Sequence, residues 1–332
     1  MKKIFEPISL GGLNLKNRIL RSATLTDKDS QNGIYLPNHA DVCAQLSKNK
    51  VACIVSGMIC VGTNSSAADF APRADHRQFP ERFKEACDAV HNNGGKFVAQ
   101  LAHSGANAMV FDVGENPWAP SDILSSMGFD AKEMTLEQID LVIKDFAKAA
   151  RICKEAGADA VQLHCAHAYL ISQFLSPYYN KRSDEYGGTL EKRARFLFDV
   201  YHAVREVVGM DYPIWIKINY DDLIGEDGTC GDDCIWVCKE MEKLGVNAIE
   251  ISSGLGIDRE SRPMQKALEG AMVGHFTEGA LKVAEVVDID VISVGGYRTK
   301  EQIENCLNLG KIKAISMSRP FADPKYISGW EE

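Results

Sequence analysis

Eight short runs of apolar, often β-branched residues recur along the chain, at 19–22, 51–55, 96–101, 158–163, 213–218, 248–251, 291–294 and 314–317. Between consecutive runs lie windows whose apolar residues return with helical period, at 36–48, 80–92, 136–156, 190–208, 232–244, 276–286 and 300–309. Strict alternation of strand and helix requires parallel strands joined by crossover helices. Eight such strands close into a barrel more economically than they spread into an open sheet. The expected fold is therefore α/β, a single (β/α)8 TIM barrel occupying residues 1–332 as one domain. Thr135 with Gln138 makes a capping box for the third helix, and Gly157, Gly245 and Gly310 stand where helices should stop.

Residues 1–16, punctuated by Gly11 and Gly12, read as a hairpin or N-terminal cover segment. Two connections are much longer than closure needs: 103–134 after the third strand and 254–272 after the sixth. Loops of that length act as lids or binding loops. In a barrel both fall at the C-terminal mouth.

The same mouth should receive the stretch HCAHAYL at 164–170, which follows the apolar run ending at Leu163. His164 then sits at a strand tip, with His167 and Tyr169 turning back over it. Three proton-handling side chains clustered there point to a site more than to a satisfied core. A zinc site is the competing reading of His-x-x-His. It lacks the i,i+4 spacing of a metalloprotease helix, and no third ligand with a general-base carboxylate stands nearby. Imidazoles donating to an anion or carbonyl, beside a phenol able to give a proton, suit these residues better.

The other strand ends bring Ser22, Ala23, Thr24, Gly57, Met58, Gln100, His103, Lys217, Asn219, Ser252, Ser253, Gly295, Gly296, Ser318 and Arg319 to the mouth, too polar a set for a packing layer. Gly295-Gly296 after the seventh strand and Ser318-Arg319 after the eighth match the phosphate site of many barrels. The bland alternative is a glycine turn beside a surface arginine. Lys217 interrupts the apolar strand Trp215-Ile216-Lys217-Ile218, and a lysine pointing into a barrel must meet a negative charge or lose its proton. FMN, a flavin mononucleotide, supplies a phosphate and, when reduced, an anionic ring beside that cation.

Composition excludes other classes. Lys plus Arg at 37 against Asp plus Glu at 46 gives a net charge of −9 with no basic run, so nucleic acid is not an expected partner. No secretion signal opens the chain and no window approaches eighteen apolar residues, so a cytoplasmic protein with no membrane span is expected. The ten cysteines are scattered through apolar segments and read as reduced core thiols. Cys230, Cys234 and Cys238 recur every four residues, but Met241 and Leu244 continue the stripe, which reads as a buried helix face.

Four segments together carry a family resemblance: FEPISLGGLNLKNRILRSAT at 5–24, QLAHSG at 100–105, HCAHAYLISQFLSPYYNKRSDEYGGTLEKRARF at 164–196, and the VGG and SRP segments near the end. The chain resembles the Old Yellow Enzyme family of FMN-dependent ene-reductases, and within it the barrels of the 2,4-dienoyl-CoA and 2-enoate reductases. The resemblance implies that Ser22, Ala23, Thr24 and Leu25 run under the flavin, that Gly57 and Gln100 contact its ring, and that Lys217 stabilises its reduced form. Gly295, Gly296, Ser318 and Arg319 would hold the phosphate. His164 and His167 would bind the oxygen of an unsaturated substrate, and Tyr169 would protonate its α-carbon after hydride reaches the β-carbon.

Three positions depart from the family pattern. Leu25 stands where some relatives have a flavin-tuning cysteine or threonine, Ala168 replaces the glycine of HxxHGYL, and Ser318 replaces a glycine. The chain also ends at Glu332 with no cysteine cluster for an iron–sulfur centre. The expected activity is NAD(P)H-dependent reduction of an activated C=C bond in an α,β-unsaturated carbonyl or carboxylic compound, with FMN as cofactor, no metal, a small-molecule substrate and a homo-oligomer as one possible assembly. The alternatives are the barrel of a larger iron–sulfur flavoenzyme and a phosphate-binding barrel lyase or isomerase. Met109, Phe111, Trp118 and Phe129 in the first long loop imply an apolar, bulky acceptor.

Overall fold

Strands buried on both faces should read as continuous apolar runs, and eight do: Ile19–Arg21 (β1), Cys53–Val55 (β2), Lys96–Ala102 (β3), Ala160–Cys165 (β4), Ile214–Asn219 (β5), Ala248–Ser252 (β6), Asp290–Val294 (β7) and Ala314–Met317 (β8). The computed structural model describes residues 4–26, 30–66, 68, 70–110, 114–125, 128–256 and 273–330. All eight strands pair in parallel, in the order β4-β5-β6-β7-β8-β1-β2-β3, and β3 pairs with β4 to close the barrel. The expected (β/α)8 architecture is the one observed.

The helices fill the intervals as the periodicity requires: Asn38–Lys48 (α1), Phe79–His91 (α2), Leu136–Glu155 (α3), Leu190–Val208 (α4), Gly231–Leu244 (α5), Thr277–Val286 (α6) and Lys300–Leu309 (α7). Their apolar faces and the outward faces of the strands form one continuous core, including Ile54, Phe83, Phe97, Phe146, Leu163 and Val204. Thr135 caps α3 as expected: its Oγ1 accepts from Gln138 N at 3.2 Å while its own N donates to Gln138 Oε1 at 2.9 Å. Gly157 (φ 105°) and Gly245 (φ 91°) end α3 and α5 in left-handed conformations that favour glycine. Gly310 ends α7 with φ −178°, an extended conformation that needs no glycine, so its expected stop works differently. On α5, Cys234, Cys238 and Met241 are buried, while Cys230 is exposed at the helix start.

The N-terminal segment folds as the hairpin Ile8–Leu10 with Leu13–Leu15. Its leucines plug the lower end of the barrel against Leu20, Val98, Ala160, Trp215 and Ile292. Each leucine so buried contributes about 1.5–3 kcal/mol. Trp215 Nε1 donates to Gly11 O at 2.8 Å, which ties the plug to β5. With the lower half packed, the C-terminal half of the barrel interior is, among the described residues, the part left for a ligand.

Loop 103–134 carries a small sheet of Trp118–Ala119, Ile123–Leu124 and Asp130–Glu133. Phe111 lies outside the described residues, as do 257–272 of the second long loop. A short helix, Leu170–Leu175, follows the HCAHAY segment and was not foreseen. Among the described residues no helix is long and apolar enough to cross a membrane.

Candidate active site

Side chains alternate along a strand, so every second residue of the barrel faces its interior. On β4 and β5 that rule turns Gln162, His164, Trp215 and Lys217 inward together, and the register sets His164 beside Lys217 and Lys217 beside Glu250. The strand β4 runs through His164 to Cys165, two residues beyond the expected end, because its partner β5 continues to Ile218 alongside it. His164 is therefore held by the ladder and not by a loose tip.

Lys217 meets the negative charge that its placement demands. Its Nζ lies 2.9 Å from Ser22 Oγ and 3.5 Å from Glu250 Oε1, and Ser22 Oγ donates to the same Glu250 oxygen at 2.7 Å. Gln162 Nε2 donates to Glu250 Oε2 at 2.9 Å, and Gln100 Nε2 donates to Gln162 Oε1 at 2.7 Å. Five polar residues thus form one connected floor across the barrel. Glu250 and Gln162 were missed by sequence reasoning, although Glu250 breaks its apolar strand as plainly as Lys217 breaks the neighbouring one.

Above this floor a cavity opens at the C-terminal mouth of the barrel. Of the expected residues, Ser22, Ala23, His167, Lys217, Gly295, Gly296, Ser318 and Arg319 line it. Its lining does not include Thr24, Leu25, Gly57, Gln100, His164 or Tyr169. Those residues stand beside it: Thr24 Oγ1 is 2.8 Å from Ser318 Oγ, and a Cβ on Gly57 would come within 2.8 Å of Thr24 O. Leu25 and Tyr169 share a wall with Met58, Cys60, Ala71 and Ala102.

One corner is built for an anion. Gly295 (φ 106°) and Gly296 (φ 81°) take left-handed conformations, and a Cβ on either would collide with Phe276 or His275. Arg298, unnoticed in the sequence, lines the same corner as Arg319. Burial and then the neighbouring Arg319 hold the Arg298 guanidinium below its ordinary value, and the two arginines depress His275 as well, after burial. Cations crowded in this way are relieved by a phosphate dianion.

The catalytic candidates gather around His164. The His164 ring lies 5.3 Å from that of His167 and 4.7 Å from that of Tyr169. His167 Nε2 is 2.7 Å from Ser252 Oγ, leaving Nδ1 available. Burial, then His167 and Lys217, keep His164 well below the usual imidazole range, and burial with Lys217 lowers His167 to about 3. Both are neutral at physiological pH. Burial, then Cys60, pushes the Tyr169 phenol up to about 12. His164 Nδ1 is buried without a hydrogen-bond partner, a cost of about 1–3 kcal/mol that a ligand oxygen would remove. His103 belongs elsewhere: its Nε2 meets Thr63 O at 3.0 Å and its Nδ1 accepts from Gly105 N, so it is a satisfied structural histidine.

A family model described as the NADH:flavin oxidoreductase / NADH oxidase family matches residues 3–332. The chain belongs to this family. A "Metal reductase" of Desulforamulus reducens is 34% identical over 98% of this chain and 48% of its own length. An "NADPH dehydrogenase" of Geobacillus sp. is 31% identical over 95% of this chain and 89% of its own length. Among solved structures, a 2-naphthoyl-CoA reductase complex superposes with a TM-score of 0.91 and 25% identity, covering 98% of this chain and 51% of that one. The chain spans about half the length of the first curated relatives that it matches. Membership makes it a flavoprotein barrel of Old Yellow Enzyme type, a class that carries FMN. The crowded arginine corner, the glycine cradle and the buried Lys217 fit that cofactor.

Proposed function

We propose that this family member reduces the activated C=C bond of an α,β-unsaturated carbonyl or carboxylic compound. The observation that carries the reading is the meeting of His164, His167 and Tyr169 beside the cavity, two neutral imidazoles and a protonated phenol. FMN, when bound, supplies the hydride. Gly295, Gly296, Ser318 and Arg319, joined by Arg298, would hold its phosphate, and Ser22, Ala23, Thr24, Leu25, Gly57, Gln100 and Lys217 would hold its ring. His164 and His167 donate N–H groups to the substrate oxygen, which polarises the alkene and fixes its face. A neutral imidazole keeps one N–H, which it can aim at an oxygen gaining charge without giving the proton up. Tyr169 keeps its proton through the working pH range and gives it to the α-carbon, the part of a general acid.

Two similarities support this reading, the NADPH dehydrogenase and the 2-naphthoyl-CoA reductase complex. The half-length match to the latter and to the metal reductase favours a second reading, in which the barrel receives electrons from another flavin domain and not directly from NAD(P)H. Anaerobic mixing of the FMN-loaded 332-residue chain with NADH and with NADPH separates the two. Bleaching of the flavin supports direct reduction, and no bleaching with either nucleotide supports the second. Purification with one noncovalent FMN per chain is expected, and Arg319→Ala should weaken it roughly ten- to a hundredfold, the worth of one charge-assisted contact. A native protein that takes up no FMN would overturn the proposal.

A further inference from the structure

We propose that Glu250 is a positioning residue that sets the charge and the hydrogen-bond polarity of the barrel floor beneath the cofactor. The inference rests on the placement of FMN above Lys217. Glu250 is 1% exposed, and its three polar neighbours come from three different strands or strand ends: Ser22 at 2.7 Å, Gln162 at 2.9 Å and Lys217 at 3.5 Å. A carboxylate so deep is costly unless such partners surround it.

As a carboxylate Glu250 accepts and cannot donate, and that asymmetry propagates. Ser22 must spend its proton on Glu250, so its lone pair is left for Lys217 Nζ at 2.9 Å. Gln162 must turn its amide nitrogen to Glu250, so its oxygen faces Gln100. Gln100 must then give an N–H to Gln162, and its own Oε1 is left as an acceptor. The pyrimidine edge of a flavin carries one ring donor, N3–H, among acceptors. The chain Glu250–Gln162–Gln100 therefore selects the amide orientation that recognises that N–H. On the other arm, Glu250 counters the charge of Lys217, so the cation favours a ring gaining negative charge less than it would alone.

Redox potentiometry of the FMN-loaded protein tests the charge arm. Glu250→Gln should shift the reduced-to-oxidised ratio roughly ten- to a hundredfold toward the reduced form, raising the midpoint by about 30–60 mV for a two-electron couple. Glu250→Asp should restore most of the wild-type midpoint. Lys217→Met should lower it, and Glu250→Met/Lys217→Met should fall between Lys217→Met and Glu250→Gln, because the two buried charges offset each other at the ring. That double variant removes both charges together, a change buried pairs tolerate, so it also serves if Glu250→Gln fails to fold. The polarity arm is read from binding of FMN methylated at N3: the wild type should discriminate against it at least tenfold, and Glu250→Gln should narrow the gap. If Lys217→Met lowers the midpoint while Glu250→Gln leaves it unchanged, Glu250 is only a structural partner and the inference fails with the cofactor placement intact. If neither moves it, the placement of Lys217 beside the ring fails too. A double variant whose midpoint lies at or below that of Lys217→Met also overturns the inference.

Discussion

Tyr169 is held with its ring 4.7 Å from that of His164, partly buried against Met58, Cys60 and Ala102. Its phenol is pushed up to about 12 by burial, so at neutral pH it is fully protonated and able to act only as an acid. In Tyr169→Phe, reduction of the flavin by NAD(P)H should proceed at the normal rate, since no proton donor is required there. Reoxidation by an alkene should slow by roughly a hundred- to ten-thousandfold. Stopped-flow traces of the two half-reactions check this, and equal slowing of both would remove Tyr169 from the role. The same segment carries backbone strain: His167 (φ 60°) and Ala168 (φ 57°) are consecutive left-handed residues, and only glycine takes that conformation freely. Ala168→Gly should stabilise the protein by about 0.5–1 kcal/mol, read from the urea midpoint. The departure of Ala168 from the family glycine was legible in the sequence, and so were His164, His167, Tyr169 and Lys217, because each is polar inside or just after an apolar run. Glu250 and Gln162 carried the same signal, but their partners are set by barrel register, which pairs residues far apart in the chain. Arg298 was hidden for another reason: it falls after the glycine pair, on a turn whose direction only the fold fixes.

At the scale of elements, the eight barrel strands and the seven helices between them followed from periodicity, while their ends moved by a residue or two in either direction: β2 starts late, at Cys53, and β4 runs on to Cys165. The segment 178–188 shows what periodicity does not reveal. Arg182 Nη1 donates to Pro120 O at 3.0 Å and Met134 O at 2.7 Å, and its Nε donates to Asp184 at 3.1 Å. Asn180 Nδ2 holds Phe174 O and Tyr186 O, both at 2.7 Å. The polar half of the long motif is thus a clamp between the loop after β4 and the long loop after β3. Arg182→Met should cost about 2–4 kcal/mol, since buried carbonyls lose a charged donor. Urea unfolding measures the loss, and limited proteolysis should shift its first cuts into 103–134. An unchanged cleavage pattern would show that the loop is held by other contacts.

The whole molecule buries histidines that stay neutral, and this makes its stability depend on pH. Burial and then Arg21 lower His39 to about 3, and burial lowers His103 to about 4 against the carbonyl bond to Thr63. Both folded values lie below the unfolded value of about 6.5, so the unfolded chain binds more protons in acid. Their contribution is therefore fully present above pH 6.5 and is lost as pH falls toward 4. Each should cost about 2 kcal/mol between pH 7 and pH 5. Urea midpoints at the two pH values measure the difference, and equal midpoints would contradict it. Among the described residues, the plugged lower end of the barrel leaves the open upper end as the place where a cofactor and a substrate can meet. Anaerobic titration of the NAD(P)H-reduced, FMN-loaded chain with unsaturated acids, enones and acyl-CoA esters tests the central claim most directly. One equivalent of a suitable alkene should return the oxidised flavin spectrum and yield one equivalent of saturated product. A flavin that stays reduced in the presence of every such alkene, while reoxidising readily with oxygen, would contradict it.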